Sequence, residues 1–159
     1  MTQNCCKKTA LFPGTFDPFT RGHYSVVERA LNLFDEVIIA IGINALKKPM
    51  FTADERVAML QQLYADEPRV RVVAYSGLTV DLAQEYGARF MLRGVRSVID
   101  FEYEKSIADV NRDISGVETV LMFTQPQYAH ISSSVVRELL SYGRNVEAYL
   151  PPQMVLPDK

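Results

Sequence analysis

Short apolar runs alternate with amphipathic segments along the chain, and this alternation constrains the fold more than any other feature of the sequence. Residues 36–43 (EVIIAIGI) are apolar on both faces, which is typical of a buried strand in a parallel sheet. Apolar side chains recur at helical spacing in the segment before it, namely Val26, Val27, Ala30, Leu31 and Phe34. The whole pattern predicts strands over 9–12, 36–43, 70–75, 90–92 and 119–123, and helices over 22–34, 52–64, 80–86, 98–113, 132–141 and 145–150.

Five strands that alternate with helices require crossover connections, which are right-handed in parallel sheets. The sequence therefore predicts an α/β fold: a single-domain, Rossmann-like, doubly wound parallel five-stranded sheet with helices on both faces. The length of 159 residues matches about one domain. We expect residues 1–159 to form that domain, with residues 1–7 as a polar N-terminal tail. Because such sheets bind ligands beyond the carboxyl ends of their strands, functional residues should lie in the strand-to-helix loops.

The charge balance and the cysteines exclude some classes of function. The chain has 17 Lys and Arg against 19 Asp and Glu, a formal net charge of -2, whereas sequence-independent nucleic-acid binding needs a basic surface. No apolar run approaches the roughly 20 residues of a membrane span, and no signal-peptide pattern precedes the first strand. Cys5 and Cys6 are neighbours and cannot cross-link the fold. We therefore expect a cytoplasmic protein with no nucleic-acid or membrane partner.

The first strand-to-helix loop, residues 13–23 (PGTFDPFTRGH), indicates an anion site. It contains neither the dinucleotide pattern G-x-G-x-x-G nor the P-loop pattern. Gly22 and His23 stand at the predicted helix start, where free backbone N–H groups and the helix dipole favour an anion. Gly22 would let a phosphate approach the backbone, and His23 would direct its imidazole at the same point. The alternative is a helix-start histidine in ordinary polar contact with its neighbours.

Three further loops carry groups that suit phosphate. Arg93 and Arg96 bracket a glycine at the end of a predicted strand and could form a guanidinium pair for phosphate oxygens, or two surface salt bridges. Residues 131–137 (ISSSVVR) place three hydroxyls at a helix start, whereas a plain N-cap explains only one of them. Lys47 and Lys48 follow the second strand, as a third cationic element or a solvated pair. Because these loops meet at one edge of the sheet, together they predict a ligand with several phosphates.

Five segments of the sequence resemble the bacterial phosphopantetheine adenylyltransferase family. They are residues 12–23 (FPGTFDPFTRGH), 47–52 (KKPMFT), 93–96 (RGVR), 100–104 (DFEYE) and 131–134 (ISSS). The first contains T-x-G-H, the family's version of the H-x-G-H nucleotidyltransferase motif. The resemblance runs from about residue 8 to residue 152, nearly the whole chain.

The resemblance implies an activity and its partners. The family reversibly transfers the adenylyl group of ATP to 4'-phosphopantetheine, which gives dephospho-coenzyme A and pyrophosphate in coenzyme A biosynthesis. The resemblance also implies Mg2+ bound mainly through the ATP phosphates, a homo-oligomer of hexameric type, and feedback inhibition by coenzyme A. No metal ligand from the protein itself is implied.

Residue roles follow from the same resemblance. It implies catalytic roles for His23, Lys47 and Arg96, with His23 stabilising the transition state. The phosphopantetheine site would comprise Thr15, Lys47, Thr79 and Arg93. The ATP site would comprise Thr15, Phe16, His23, Gly94, Val95, Arg96, Glu104, Tyr128, Ala129, His130, Ile131, Ser132, Ser133 and Ser134.

The sequence departs from the family pattern at four positions. Phe12 stands where Tyr is common, and Arg21 stands where Asn is usual. Thr79 replaces an apolar residue at a position that contacts pantetheine, and Tyr128 replaces the Trp that some members carry beside the adenine. These departures concern the details of the pocket and leave the implied reaction unchanged.

Two other functions are alternatives. A nicotinate mononucleotide-type adenylyltransferase shares the fold and the x-G-H step, but Thr20 stands where that family has its first histidine, and the RGVR and DFEYE segments count against it. A non-catalytic nucleotide-binding module would bind ATP without releasing pyrophosphate. Such a module would have no use for the acceptor-phosphate pair Lys47 and Arg93.

Overall fold

A computed structural model describes residues 7–44, 46 and 48–157 of the chain. It contains strands β1 (Thr9–Gly14), β2 (Glu36–Gly42), β3 (Val70–Tyr75), β4 (Phe90–Val95) and β5 (Glu118–Phe123). These strands form one sheet in the order β3-β2-β1-β4-β5, and every neighbouring pair is parallel. The arrangement confirms the fold class that the sequence predicts.

The helices alternate with the strands and cover both faces of the sheet. They are α1 (Arg21–Ala30), α2 (Ala53–Leu63), α3 (Thr79–Glu85), α4 (Val98–Ser115) and α5 (Ser133–Ser141), with short 3-10 helices at Pro126–Tyr128 and Glu147–Tyr149. Successive residues of a strand point to opposite faces. Ile39 of β2 accordingly lies in one core cluster with Val27 of α1, and Ile38 lies in a second cluster with Ala83 of α3.

Several elements differ in extent from the prediction. β1 continues through Gly14, and β4 continues through Arg93 and Gly94 to Val95. The prediction of a loop over 93–95 is therefore wrong, because hydrogen bonding to β5 along the register Arg93↔Leu121 to Val95↔Phe123 outweighs the weak strand preference of Arg-Gly. α1 ends at Ala30 instead of residue 34, and the last predicted helix is only the 3-10 turn Glu147–Tyr149.

Polar caps fix where the helices begin. The predicted capping box of α2 is confirmed: the Glu55 N–H donates to Thr52 Oγ1 at 3.2 Å, and the Thr52 N–H donates to Glu55 Oε2 at 2.7 Å. At the start of α5, the Ser132 hydroxyl oxygen accepts from the Val135 N–H at 3.2 Å. α4 ends at Ser115, and the C-cap residue Gly116 follows with a φ of 72°, in the left-handed region that favours glycine.

Two buried charged residues fasten the loop after β1 to the start of α2. The carboxylate of Asp17 accepts from the N–H groups of Met50 and Phe51, both at 2.8 Å. Arg56, 3% exposed, donates from Nη1 to the Thr15 carbonyl at 2.6 Å and from Nε to the Phe51 carbonyl at 3.0 Å. Backbone from two segments is thus held by charged side chains, which make stronger hydrogen bonds than neutral ones.

The fastening by Asp17 gives a prediction of stability. Asp17→Asn keeps the shape but replaces one acceptor oxygen by an NH2 group that faces a backbone N–H. We expect the free energy of unfolding to fall by about 1–3 kcal/mol, measured by urea denaturation. Asp113→Asn, at an exposed carboxylate of α4, is the matched control. Equal stability of the Asp17→Asn variant and the wild type would contradict the assignment.

Candidate active site

A cavity of about 340 Å³ lies at the carboxyl ends of β1 and β4, beside the first turns of α1 and α5. The structure brings together here eleven of the residues that the sequence singled out: Thr15, Phe16, His23, Arg93, Gly94, Arg96, Glu104, Ile131, Ser132, Ser133 and Ser134. Four other predicted ATP-site residues do not line this cavity, namely Val95, Tyr128, Ala129 and His130. His130 instead packs edge-on against Tyr149, with ring centroids 6.3 Å apart.

His23 is held in one orientation by its own helix start and by three phenylalanines. Its Nδ1 accepts a hydrogen bond from the backbone N–H of Thr20 at 3.0 Å. The centroid of its ring lies 5.1 Å from that of Phe16 and 5.3 Å from that of Phe19, and Phe12 is 6.3 Å away. Because Nδ1 accepts, the proton of the neutral ring is on Nε2. His23 therefore has a local polar contact and also lines the cavity.

The charge state of His23 follows from its surroundings. Burial, together with the positive charges of Arg96 and Arg93, lowers the pKa of the imidazole from 6.5 to about 4. The ring is therefore neutral near pH 7. It can donate one hydrogen bond from Nε2 without adding a charge.

The loop after β1, which lines the first cavity, turns tightly. Phe16 has a φ of 50°, in the left-handed region that is uncommon for a residue with a side chain. Its ring folds back over Gly14, where an added Cβ would lie 2.7 Å from the ring carbons. Phe16 is itself buried. Glycine at position 14 thus allows Phe16 to fill the core while Thr15 faces the ligand space.

Each of the two arginines at the end of β4 pairs with a carboxylate of α4. Arg93 donates from Nε and Nη2 to the two oxygens of the buried Glu104 at 2.7 and 2.6 Å, and from Nη1 to the Pro13 carbonyl at 2.7 Å. The Nε of Arg96 lies 3.3 Å from Asp100 Oδ2 in a more exposed pair. Both arginines therefore form salt bridges, of which the Arg96–Asp100 bridge is the more exposed, and both guanidinium groups line the cavity.

The serines at the start of α5 make different contacts. Ser132 is the N-cap, and Ser133 donates to the Pro18 carbonyl at 2.8 Å. Ser134 accepts from Arg137 Nη2 at 3.2 Å, while Nη1 of Arg137 donates to the Asp17 carbonyl at 2.7 Å. The N-terminus of α5 is thus tied to the loop after β1, and its hydroxyls form the wall opposite β4.

A second cavity of about 400 Å³ adjoins the first. The two share Pro13, Gly14, Thr15, Arg93 and Glu104 as a common wall. The second cavity contains the predicted site residue Thr79 and has mostly apolar walls beyond the common one. Lys47, to which the sequence gave catalytic and substrate-binding roles, lies outside the described residues, as do Cys5 and Cys6.

Sequence reasoning gave no role in the site to two residues that position others. Thr20 orients His23, and Asp100 holds Arg96. Thr20 could have been found as an N-cap residue three positions before His23, and Asp100 from its i, i+4 spacing to Arg96. Within the described ranges there is no cluster of three His, Cys, Asp or Glu residues that could hold a metal ion. None of the helices in that part of the chain is long and apolar enough to cross a membrane.

Comparison with known proteins places the chain in a family. Residues 11–139 match the family model described as cytidylyltransferase-like. The phosphopantetheine adenylyltransferase of Phocaeicola vulgatus is 56% identical over 147 residues, which cover 92% of this chain and 97% of that protein. The phosphopantetheine adenylyltransferase of Porphyromonas gingivalis is 55% identical over 150 residues, which cover 94% of this chain and 98% of that protein.

A solved structure supports the same fold. The crystal structure of a bifunctional NMN adenylyltransferase/ADP ribose pyrophosphatase from Francisella tularensis aligns with a TM-score of 0.72 over 91% of this chain, at 15% sequence identity. The chain spans only 45% of the length of that protein, so the likeness concerns the fold alone. With relatives above 50% identity over nearly their whole length, the chain belongs to the phosphopantetheine adenylyltransferase family and is a nucleotidyltransferase.

Proposed function

We propose that the chain transfers the adenylyl group of ATP to 4'-phosphopantetheine in the two adjoining cavities, forming dephospho-coenzyme A and pyrophosphate for coenzyme A biosynthesis. One observation carries the assignment of the site: the cavity that contains His23, Arg96 and the serines of α5 joins an apolar-walled cavity at Arg93. Two phosphorylated substrates can therefore meet at the common wall.

The two cavities suit the two substrates differently. ATP fits the first, where a helix N-terminus, three serines and two arginines can receive phosphate oxygens. The arm of phosphopantetheine fits the second, whose walls beyond Arg93 and Glu104 are largely apolar. Arg93 and Thr15 border both cavities, so the acceptor phosphate would lie there, next to the α-phosphate of ATP.

The proposed chemistry needs positioning more than proton transfer. A phosphate monoester has a second pKa near 6, so the acceptor is already a nucleophile at pH 7 and needs no general base. What opposes the reaction is the repulsion and alignment of two anions. Holding them in line can remove about 7–11 kcal/mol of the barrier, and one donor aimed at developing charge contributes about 3–4 kcal/mol.

His23 supplies that donor in the proposed mechanism. Its Nε2–H is left available because Nδ1 accepts from Thr20, and the ring lines the same cavity as the serines at the start of α5 and the two arginines at the end of β4. The Nε2–H would bond to oxygens around the α-phosphate as negative charge builds there. Arg96, whose exposed pair with Asp100 is easily exchanged for a phosphate, would follow the nucleotide.

Magnesium would enter with ATP. The two carboxylates that line the first cavity, Asp100 and Glu104, are each ion-paired with an arginine. Because both carboxylates already neutralise an arginine, we expect Mg2+ to be bound mainly through the phosphate oxygens of ATP and water. When bound, Mg2+ supplies neutralisation of phosphate charge.

We further propose a homo-oligomer, with a hexamer as the expected form, and inhibition by coenzyme A. Exposed apolar side chains on α4, including Val98, Ile99 and Phe101, support self-association. Coenzyme A contains the whole of the reaction product and would occupy the same two cavities. Light scattering of the purified protein tests the oligomer, and initial-rate kinetics with added coenzyme A tests the inhibition. A cytoplasmic location stays a prediction.

The function is tested by incubating the purified protein with ATP and 4'-phosphopantetheine. We expect dephospho-coenzyme A and pyrophosphate in equal amounts. Nicotinate mononucleotide serves as the competing acceptor in a parallel reaction. If pyrophosphate is released with nicotinate mononucleotide and not with 4'-phosphopantetheine, the proposed acceptor is wrong. If neither acceptor gives pyrophosphate, the result favours a non-catalytic binding module.

Replacing His23 tests its proposed role. We expect His23→Ala to lower kcat by about 100-fold or more, because one donor onto developing charge is lost, while the KM values change modestly. His23→Asn, which retains an N–H donor, should recover part of the rate. Steady-state kinetics with pyrophosphate detection measures both variants. If His23→Ala keeps most of its turnover, the role is wrong.

The pKa of His23 gives a pH dependence of stability. The unfolded chain binds a proton at this ring below pH 6.5, but the folded protein does so only near pH 4. The free energy of unfolding should therefore fall as the pH drops from 6.5 to 4, and this loss should be smaller in His23→Gln. Urea denaturation at pH 7 and pH 5 compares the two proteins. The same pH response in both would contradict the lowered pKa.

Arg93 and Arg96 should affect different substrates. We expect Arg93→Ala chiefly to raise the Kd of phosphopantetheine and Arg96→Ala chiefly to raise the Kd of ATP, each by about tenfold or more, because a charge-assisted hydrogen bond is lost. Isothermal titration calorimetry measures both. Arg112→Ala, at an exposed arginine of α4 paired with Glu118, is the control. The opposite selectivity would overturn the assignment of the two cavities.

A further inference from the structure

Two hydroxyl groups meet on the wall of the second cavity. Tyr75 is the last residue of β3, and Thr79 is the first residue of α3. Tyr75 Oη and Thr79 Oγ1 lie 2.8 Å apart, so one of them donates to the other. Both residues line the cavity. The mechanism above uses neither hydroxyl.

The end of β2 lies beside this pair. Gly42 is the register partner of Tyr75 in the parallel ladder. A Cβ added at Gly42 would lie 3.8 Å from Tyr75 Oη and 3.8 Å from the Gly14 carbonyl oxygen. The Tyr75 hydroxyl therefore lies over the end of β2, close to the loop that forms the common wall of the two cavities. A ligand that reaches from the common wall into the second cavity passes this point.

The pair lies in a cavity whose lining is mostly apolar. Leu78, Val80 and Met91 offer no strong hydrogen-bonding group there. Beyond the common wall, Asn111 and Thr119 are the further uncharged polar residues of its lining. A hydroxyl pair that shares one hydrogen bond retains one O–H to donate and free lone pairs to accept. Such a pair can meet the C=O and the N–H of a neutral amide, whereas it supplies no charge for a phosphate.

We propose that the Tyr75–Thr79 hydroxyl pair recognises an amide of the acceptor's arm and thereby helps the enzyme to select an amide-bearing acceptor. The proposal rests on the proposed function, because the arm of phosphopantetheine contains two amide groups along an otherwise apolar chain. A site that hydrogen-bonds a substrate group discriminates against compounds lacking it, since its own polar atoms are then left unpaired in the complex. Tyr75 thereby joins Thr79 as a residue that determines acceptor specificity, and its hydroxyl orients that of Thr79.

A purely structural role is the competing explanation. The hydrogen bond joins residues four apart in sequence, and its sole role could be to fix the end of β3 to the start of α3. The N-cap residue of α3, Leu78, makes no side-chain capping bond. A brace contributes to the free energy of unfolding and leaves ligand affinity unchanged. The two roles therefore differ in what a substitution alters.

The test uses the near-isosteric variants Tyr75→Phe and Thr79→Val of the full chain. Each should raise the KM of phosphopantetheine by about three- to tenfold, the cost of one neutral hydrogen bond, and the loss should fall on this KM and not on that of ATP. The double variant should lose less than the product of the single effects, because the hydroxyls act as a pair. Tyr142→Phe, at an exposed tyrosine that lines neither cavity, is the matched control.

Pantetheine, which has the arm but no phosphate, separates arm recognition from phosphate binding. Its inhibition constant should rise in each variant by the same factor as the KM of phosphopantetheine. The proposal is overturned if only the melting temperature changes, or if the KM rises while the inhibition constant of pantetheine stays at the wild-type value. Should the wild type form no dephospho-coenzyme A, the proposed function fails. Calorimetric binding of pantetheine to the wild type and the variants then decides the proposal separately.

Discussion

The ion pair between Arg93 and Glu104 is the interaction around which the site is built. It joins β4 to α4, and the third contact of Arg93, with the Pro13 carbonyl, adds β1. Three elements are thereby fixed relative to one another at the wall between the two cavities. A buried carboxylate left without its arginine is costly, so the pair constrains the whole region. One guanidinium thus both holds the fold together and lines the two cavities.

Arginines that pair with carboxylates and also line the cavities explain how a chain with a net charge of -2 could receive the several phosphates of the proposed substrates. Arg93 and Arg96 stand at the carboxyl end of β4, and Glu104 and Asp100 pair with them. Arg96, in the exposed pair, can exchange its carboxylate for a phosphate at little cost. Arg93, in the buried bidentate pair, keeps its carboxylate and offers only its remaining N–H groups. The two arginines therefore differ in how firmly they are paired, although they stand only three positions apart in the sequence.

The sequence predicted the features that depend on local pattern. The apolar character of residues 36–43 indicated a buried strand, and Thr52 with Glu55 indicated the start of α2. Both features depend on residues that are close together in the sequence. The bidentate pair of Arg93 and Glu104 was not predictable in this way. It depends on how α4 packs against β4, and a glycine-containing end of a strand carries little strand signal of its own. The resemblance implied an ATP-site role for Glu104; the residue lines the first cavity, and its carboxylate accepts from Arg93.

The neutral state of His23 follows from this arrangement of charge. Two guanidinium groups already supply positive potential in the cavity, and they lower the pKa of the nearby imidazole in addition to the effect of burial. A protonated ring would donate from both nitrogens and would lose the contact in which Nδ1 accepts from Thr20. Neutrality therefore preserves the orientation of the ring as well as its remaining donor. The arginines supply positive charge, and the neutral histidine supplies one directed hydrogen-bond donor.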